Sequence, residues 1–164
     1  MHAHAAEASL MVAFLDANRV NGVATAEAMD FATFAVEALM NGAKVNWEDR
    51  IINSLTNLCA KAIFIELENG IFEDHPLKAE VQVAVSNPLT LNFSESILKL
   101  FNDSINSHLV IQNGNTGGSN AQTLRTTITL GNDYLSNATK LSIARTMIHE
   151  SVHAYINGVF FSYP

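Results

Sequence analysis

Apolar residues change their spacing near residue 70, and that change limits the fold more than any other feature of the chain. Up to Gly70 they recur at helical intervals. Leu10, Met11, Phe14 and Leu15 define a first helix over residues 6–18, which Asn18-Arg19-Val20-Asn21-Gly22 breaks. Thr25 suits the N-cap of a second helix, with Glu27 in its first turn and Met29, Ala32, Val36, Leu39 and Met40 as its apolar stripe. Asn41-Gly42 stops it. Asn46 then caps a third helix with Ile51, Ile52, Leu55, Cys59, Ala62 and Ile63 on its inner face, and Asn69-Gly70 closes it.

From Glu80 the apolar period becomes two, as in strands. Residues 80–85 alternate, Asn87-Pro88 turns the chain, and Leu89, Leu91 and Phe93 alternate again. Ser94 caps a helix through Ile97, Leu98, Phe101 and Ile105. His108 to Gln112 reads as a strand, residues 113–120 (NGNTGGSN) as a loop, and Leu124 to Leu130 as a β-branched strand. Asn137 caps a last helix that stops at Asn157-Gly158. The expected fold is α+β. A helical segment over residues 1–72 precedes a core over residues 73–164, whose small, mainly antiparallel sheet carries the last helix.

Composition removes several function classes. The chain has 164 residues, 48% of them hydrophobic and 15% charged, which is enough apolar material for a core. Sixteen acidic residues face 9 basic ones, for a net charge of −7, and no Lys/Arg cluster occurs, so nucleic acid is not an expected partner. Cys59 is the single cysteine, which excludes an internal disulfide and a cysteine-based zinc ribbon. No apolar run is long enough for a membrane span. Met1-His2-Ala3-His4-Ala5 lacks the basic and apolar regions of a signal peptide and reads as an appended leader or a frayed helix start.

The last helix carries His149-Glu150-Ser151-Val152-His153, an H-E-x-x-H pattern. On a helix, His149 and His153 project one turn apart from one face and can grip one zinc ion. Glu150 lies about 100° further round, within reach of a water on that metal. Met147, Ile148, Ser151, Val152, Ala154 and Tyr155 carry no charge, so the helix can pack inside the protein. The chemistry implied is peptide-bond hydrolysis with Glu150 as general base. A substrate strand would pair with a sheet edge, along residues 124–130 or 108–112. The bland alternative is an amphipathic helix whose two histidines and glutamate are satisfied by hydrogen bonds.

Catalytic zinc usually takes three protein ligands. Residues 154–164 contain no His, Asp, Glu or Cys, and Ile156 and Val159 stand where a metzincin would have Gly and His. Three explanations are open: a fragment whose C-terminal continuation carries the third ligand, a ligand from upstream (His108, Asp133 or His75), or a two-histidine remnant without activity. The apolar run Val159-Phe160-Phe161 favours the fragment.

Residues Leu141 to Ile156 (LSIARTMIHESVHAYI) resemble the active helix of zincin-like metallopeptidases of the SprT-like and polymorphic-toxin kind, and the stretch Leu124–Ala154, a strand followed by that helix, carries most of the likeness. Such bacterial domains often end larger secreted proteins, including Rhs-type proteins. The resemblance implies zinc on His149 and His153, Glu150 as base, a peptide or protein substrate and, for a toxin, an inhibitory or immunity protein. The family's third ligand follows the helix and has no counterpart here. A different class of function, a catalytically inactive zincin-fold binding module, is kept beside it.

Other features read as structure. Asp16, Asn18, Val23 and Glu27 mimic EF-hand spacing, but Asn21 stands where the calcium turn needs Gly. The 113–120 loop has no Lys after its glycines, so it is not a phosphate loop. Cys59 reads as core packing.

Overall fold

The computed structural model describes residues 2–68 and 108–160. The expected strands at 80–85 and 89–93, the helix after Ser94, and His75 lie outside the described residues. In chain order the elements are α1 (His2–Ala17), β1 (Arg19–Val20), β2 (Val23–Ala24), α2 (Ala26–Met40), β3 (Lys44–Asn46), β4 (Ile51–Ser54), α3 (Leu58–Glu68), β5 (Leu109–Gly114), β6 (Ala121–Leu124), β7 (Thr127–Gly131), α4 (Asn132–Asn137) and α5 (Lys140–Phe160).

The fold is α+β. Among the described residues five strands form one sheet in the order β3-β4-β5-β7-β6. Both edge pairings are antiparallel, while β4–β5 and β5–β7 are parallel. Central strands are buried on both faces and read as continuous apolar runs. Ile51, Leu109, Ile111, Ile128 and Leu130 face α3 and α5, where Phe64, Ile143 and Met147 complete the core. Ile52 and Val110 face the other way, onto Phe14 of α1 and Phe31 of α2.

The expected boundary at residue 72 does not divide the core. β4, from the N-terminal segment, pairs directly with β5, and α3 packs in the same cluster as α5. The cause is local chemistry around Asn46. Its side chain accepts from Asp49 N (3.1 Å) and donates to Asp49 Oδ2 (2.9 Å), as a helix cap would, but Arg50 follows in the left-handed region (φ 54°). That conformation ends any helix, so Asn46 closes a turn, and the β-branched Ile51-Ile52 pair continues as strand. The third helix therefore starts at Leu58 rather than after Asn46, and Asn57 Oδ1 accepts from Ala60 N (3.0 Å). Its buried face is Ala60, Ile63, Phe64 and Leu67, which leaves Cys59 exposed rather than in the core.

Thr25 caps α2 as expected, accepting from Ala28 N (3.2 Å). The buried stripe is rotated from the expected one. Ala28, Phe31, Ala32 and Ala35 face the sheet, while Met29, Val36 and Met40 are exposed. Small alanines let α2 approach closely, and the aromatic trio Phe14, Phe31 and Trp47 fills the remaining space with centroids 5.2–5.7 Å apart. Asn21-Gly22, both at positive φ, turn the β1–β2 hairpin where a calcium loop would have needed Gly at position 21.

Truncating Ile111, fully buried between the two parallel neighbours of β5, should cost about 3 kcal/mol in urea unfolding of Ile111→Ala. His108 supplies a pH-dependent contribution. It packs 5.5 Å from the Phe31 and Phe34 rings, and burial, with Arg50 nearby, pushes its pKa below the usual value. The unfolded chain then takes up this proton first as pH falls, so His108 costs stability from about pH 6.5 downward. Burial raises the Glu68 pKa, so its protonation acts in the opposite direction as the medium becomes acidic. The melting-temperature advantage of His108→Phe over the parent should therefore grow between pH 7.5 and 5.5; a constant difference would refute the assignment.

Candidate functional site

Helix α5 begins later than the sequence suggests. Asn137 ends α4, where its side chain donates to Asp133 O (2.8 Å), and Ala138 is extended. Thr139 is the cap, its Oγ1 accepting from Ser142 N (3.2 Å). The helix then runs through Asn157-Gly158 to Phe160, because Gly158, which is buried, keeps a helical rather than a left-handed conformation and does not stop it there.

Helical geometry gives α5 three faces. Ile143, Met147, Ser151 and Ala154 are buried, and Ser151 satisfies its hydroxyl by donating to Met147 O (2.8 Å). A polar line beside them runs Ser142, Thr146, His149, Glu150, His153 and Asn157. Leu141, Ile148, Val152 and Ile156 lie on the outer side and are exposed, so only part of the uncharged surface around the motif is interior. The helix lies on one face of a sheet, not within a core.

His149 and His153 come together as expected. Their Nε2 atoms are 3.0 Å apart and both rings are exposed. Glu150 is half-buried and turns toward β6, where Thr123 Oγ1 donates to its Oε2 at 2.5 Å. One turn ahead of His149, Thr146 Oγ1 shares a hydrogen bond with the Tyr134 hydroxyl (2.8 Å). Past His153, Asn157 donates to Arg125 O (3.1 Å).

That last contact marks a feature the sequence hid. Residues 124–130 are not one strand: Leu124 pairs with Thr127 across a two-residue turn, with Arg125 at φ 53°. No Gly or Asn marks the turn, so a β-branched run conceals a hairpin. Thr123, 27 positions from Glu150, carried no signal of its own. Thr146 and Asn157 were findable, because they fall on the same helical face as the motif.

Neither described upstream ligand joins the histidines. His108 lies on the α2 face of the sheet, opposite α5. Asp133 lines a cavity at the head of α5 with Asn132, Thr139 and Ser142. Among the described residues no group of three His, Cys, Asp or Glu side chains is placed to hold a metal. The two Nε2 atoms do fit part of a zinc site: tetrahedral bonds of about 2.0–2.1 Å place two nitrogens about 3.3 Å apart. Among the described residues no helix is long and apolar enough to cross a membrane.

Comparison of the chain with known protein families, with curated proteins and with solved structures finds no match.

The loop over residues 115–120 is held against β7 by Gly131. A Cβ there would lie 2.6 Å from Thr116 Oγ1 and 2.7 Å from Ser119 O. Thr116 is buried and its hydroxyl donates to Ser119 O. Gly131→Ala should therefore force the loop outward and cost about 2 kcal/mol in denaturant unfolding; an unchanged midpoint would show that the loop yields freely.

Proposed function

We propose that the chain is a zinc-dependent metallopeptidase domain, with His149 and His153 holding the metal and Glu150 acting as general base. The observation that carries this reading is the convergence of two exposed imidazole nitrogens 3.0 Å apart, with a carboxylate one position on that is anchored to the neighbouring strand. A bound zinc ion would supply Lewis acidity at the scissile carbonyl and lower the pKa of a water beside it.

The chain's own residues account for the rest. Thr123 holds one oxygen of the Glu150 carboxylate and leaves the other to take a proton from the attacking water. Glu150 then returns that proton to the departing amine, so the two bond changes share one acid–base group. β6 is the edge strand among the described residues, and an extended peptide can add to its outer side through backbone hydrogen bonds. Thr123 lies on that strand, which brings an added peptide alongside Glu150. The resemblance of residues 124–154 to zincin-like metallopeptidases points the same way, and a peptide or protein is the substrate class.

Metal content and cleavage separate the parts of this reading. Purified protein equilibrated with zinc and then desalted should hold one zinc per chain by elemental analysis, and His149→Ala or His153→Ala should lose it. Glu150→Gln should keep the metal and cut peptides at least roughly 100-fold more slowly. Undiminished cleavage by Glu150→Gln would remove Glu150 as base, and zinc retained by both alanine variants would remove the site. Thr123→Val should keep the zinc and lower kcat roughly tenfold, because the carboxylate loses its orientation; an unchanged kcat would reduce Thr123 to packing.

A further inference from the structure

The cavity at the head of α5 has a chemistry that the proposed hydrolysis does not use. It is a hollow of about 760 Å³, open to solvent, and its wall residues Asn120, Asn132, Asn137, Thr139 and Ser142 are exposed. β5 and β7 are parallel and end level, Gly114 beside Gly131, and the space opens beyond their carboxyl ends. Ligands of open sheets with parallel strands bind in that position. The walls include amides and hydroxyls: Asn120 from the loop, Asn132 and Asn137 from α4, Thr139 at the cap of α5 and Ser142 in its first turn. Asp133 is the single charged residue in the lining.

The walls are braced before any ligand arrives. Gln122 Nε2 donates to Thr116 O (2.9 Å), Asn115 Oδ1 accepts from Gly117 N (2.9 Å), and Gly131 admits the loop. Asn113 ties the neighbouring strand ends, accepting from Thr56 N (2.8 Å) and donating to Asn132 Oδ1 (2.7 Å). A braced hollow whose amides and hydroxyls outnumber its one carboxylate suits a group that both gives and takes hydrogen bonds.

Its distance from the histidines assigns the group. Ser142 in the cavity wall and His149 are seven residues apart on α5, or about 10 Å of rise. β6 runs beside α5 in the same direction, from Ala121 next to the cavity residue Asn120 to Thr123 at Glu150. An extended segment covers that distance in about three residues. Antiparallel addition to β6, the stronger ladder, directs the segment's C-terminal side toward the cavity. We propose that the cavity is a specificity subsite for the third residue on the C-terminal side of the scissile bond, selecting the uncharged side chains Asn, Gln, Ser and Thr. The numbering of the subsite rests on the metallopeptidase reading; the existence of a site for neutral amide or hydroxyl groups does not.

Two measurements on the full chain test this separately. The zinc-loaded protein is given a proteome-derived peptide library, and its cuts are mapped. Asn, Gln, Ser and Thr should be enriched roughly tenfold over Leu and Val at the third position after the cut, the worth of one or two hydrogen bonds. In Ser142→Leu that enrichment should vanish among the cuts that remain. A flat profile at this position, or one unchanged by Ser142→Leu, overturns the assignment. In parallel, Glu150→Gln is titrated with acetyl-Gly-Asn-Gly-amide and followed by NMR. The side-chain amides of Asn120, Asn132 and Asn137 should shift, and acetyl-Gly-Leu-Gly-amide should leave them in place. No shift, or equal shifts from both peptides, overturns the site even if the library is cut. Binding of the Asn peptide with no cleavage of the library upholds the site and fails the metallopeptidase reading instead.

Discussion

The parallel ladder β4–β5–β7 is the constraint on which the rest of the molecule depends. Parallel neighbours cannot be joined by a tight turn, so the chain must leave β4 before β5 can pair beside it. α3 begins that excursion, and its Ile63, Phe64 and Leu67 meet Ile143, Met147 and Ala154 of α5 above Ile111 and Leu130. The same ladder gathers three strand ends, β5 and β7 ending level and β4 two residues earlier. Asn113 links them with a single side chain, accepting from Thr56 and Asn57 beyond β4 and donating to Asn132 beyond β7. The position of α5, and with it every candidate catalytic group, is inherited from this arrangement.

Among the described residues both edge strands of the sheet, β3 and β6, run antiparallel to their inner neighbours, and they serve different ends. β3 and the Asn46 turn carry Trp47 into the α1–α2 face, where its indole donates to Glu7 (3.0 Å). β6 stays open along its outer side among the described residues and touches α5 through Thr123. One edge supports the packing of the N-terminal helices, and the other meets the face of α5 that carries His149, Glu150 and His153.

Sequence made some of this plain and concealed the rest for identifiable reasons. The Thr25 cap, the strand after His108 and the helix bearing His149 and His153 are carried by local signals, and each is present. Local signals failed where one side chain serves two geometries. Asn46 looks like a helix cap because its oxygen does accept from the third residue on, yet the left-handed Arg50 makes it a turn, and a supposed helix yields the central strand β4. The β6–β7 hairpin was invisible because Arg125-Thr126 turns without Gly or Asn. The buried face of α2 was misplaced because alanines at 28, 32 and 35, not the larger Met29 and Val36, meet the sheet. At the site, the two histidines and Glu150 were legible from spacing alone, since a helix fixes neighbours one turn apart. Thr123 was not, because its contact depends on where the helix lies across the sheet.

That offset explains why His149, His153, Glu150 and, among the described residues, a free strand edge share one side of the sheet. A helix centred over the parallel strands would press its polar line into Ile128 and Leu130. α5 instead buries Ile143, Met147 and Ala154 over those strands and lets the line from Ser142 to Asn157 fall beside β6. The polar line runs along the boundary between sheet and solvent, where histidines remain exposed while Glu150, one position on, is half-buried and reaches the strand. Asn157 fixes the register at the far end by holding the Arg125 carbonyl of the β6–β7 turn, and Tyr134 fixes the near end through Thr146. Two hydrogen bonds outside the motif thus set where the motif sits against the edge strand, and a displacement of α5 by one turn would carry Glu150 away from Thr123 without altering a residue of H-E-x-x-H.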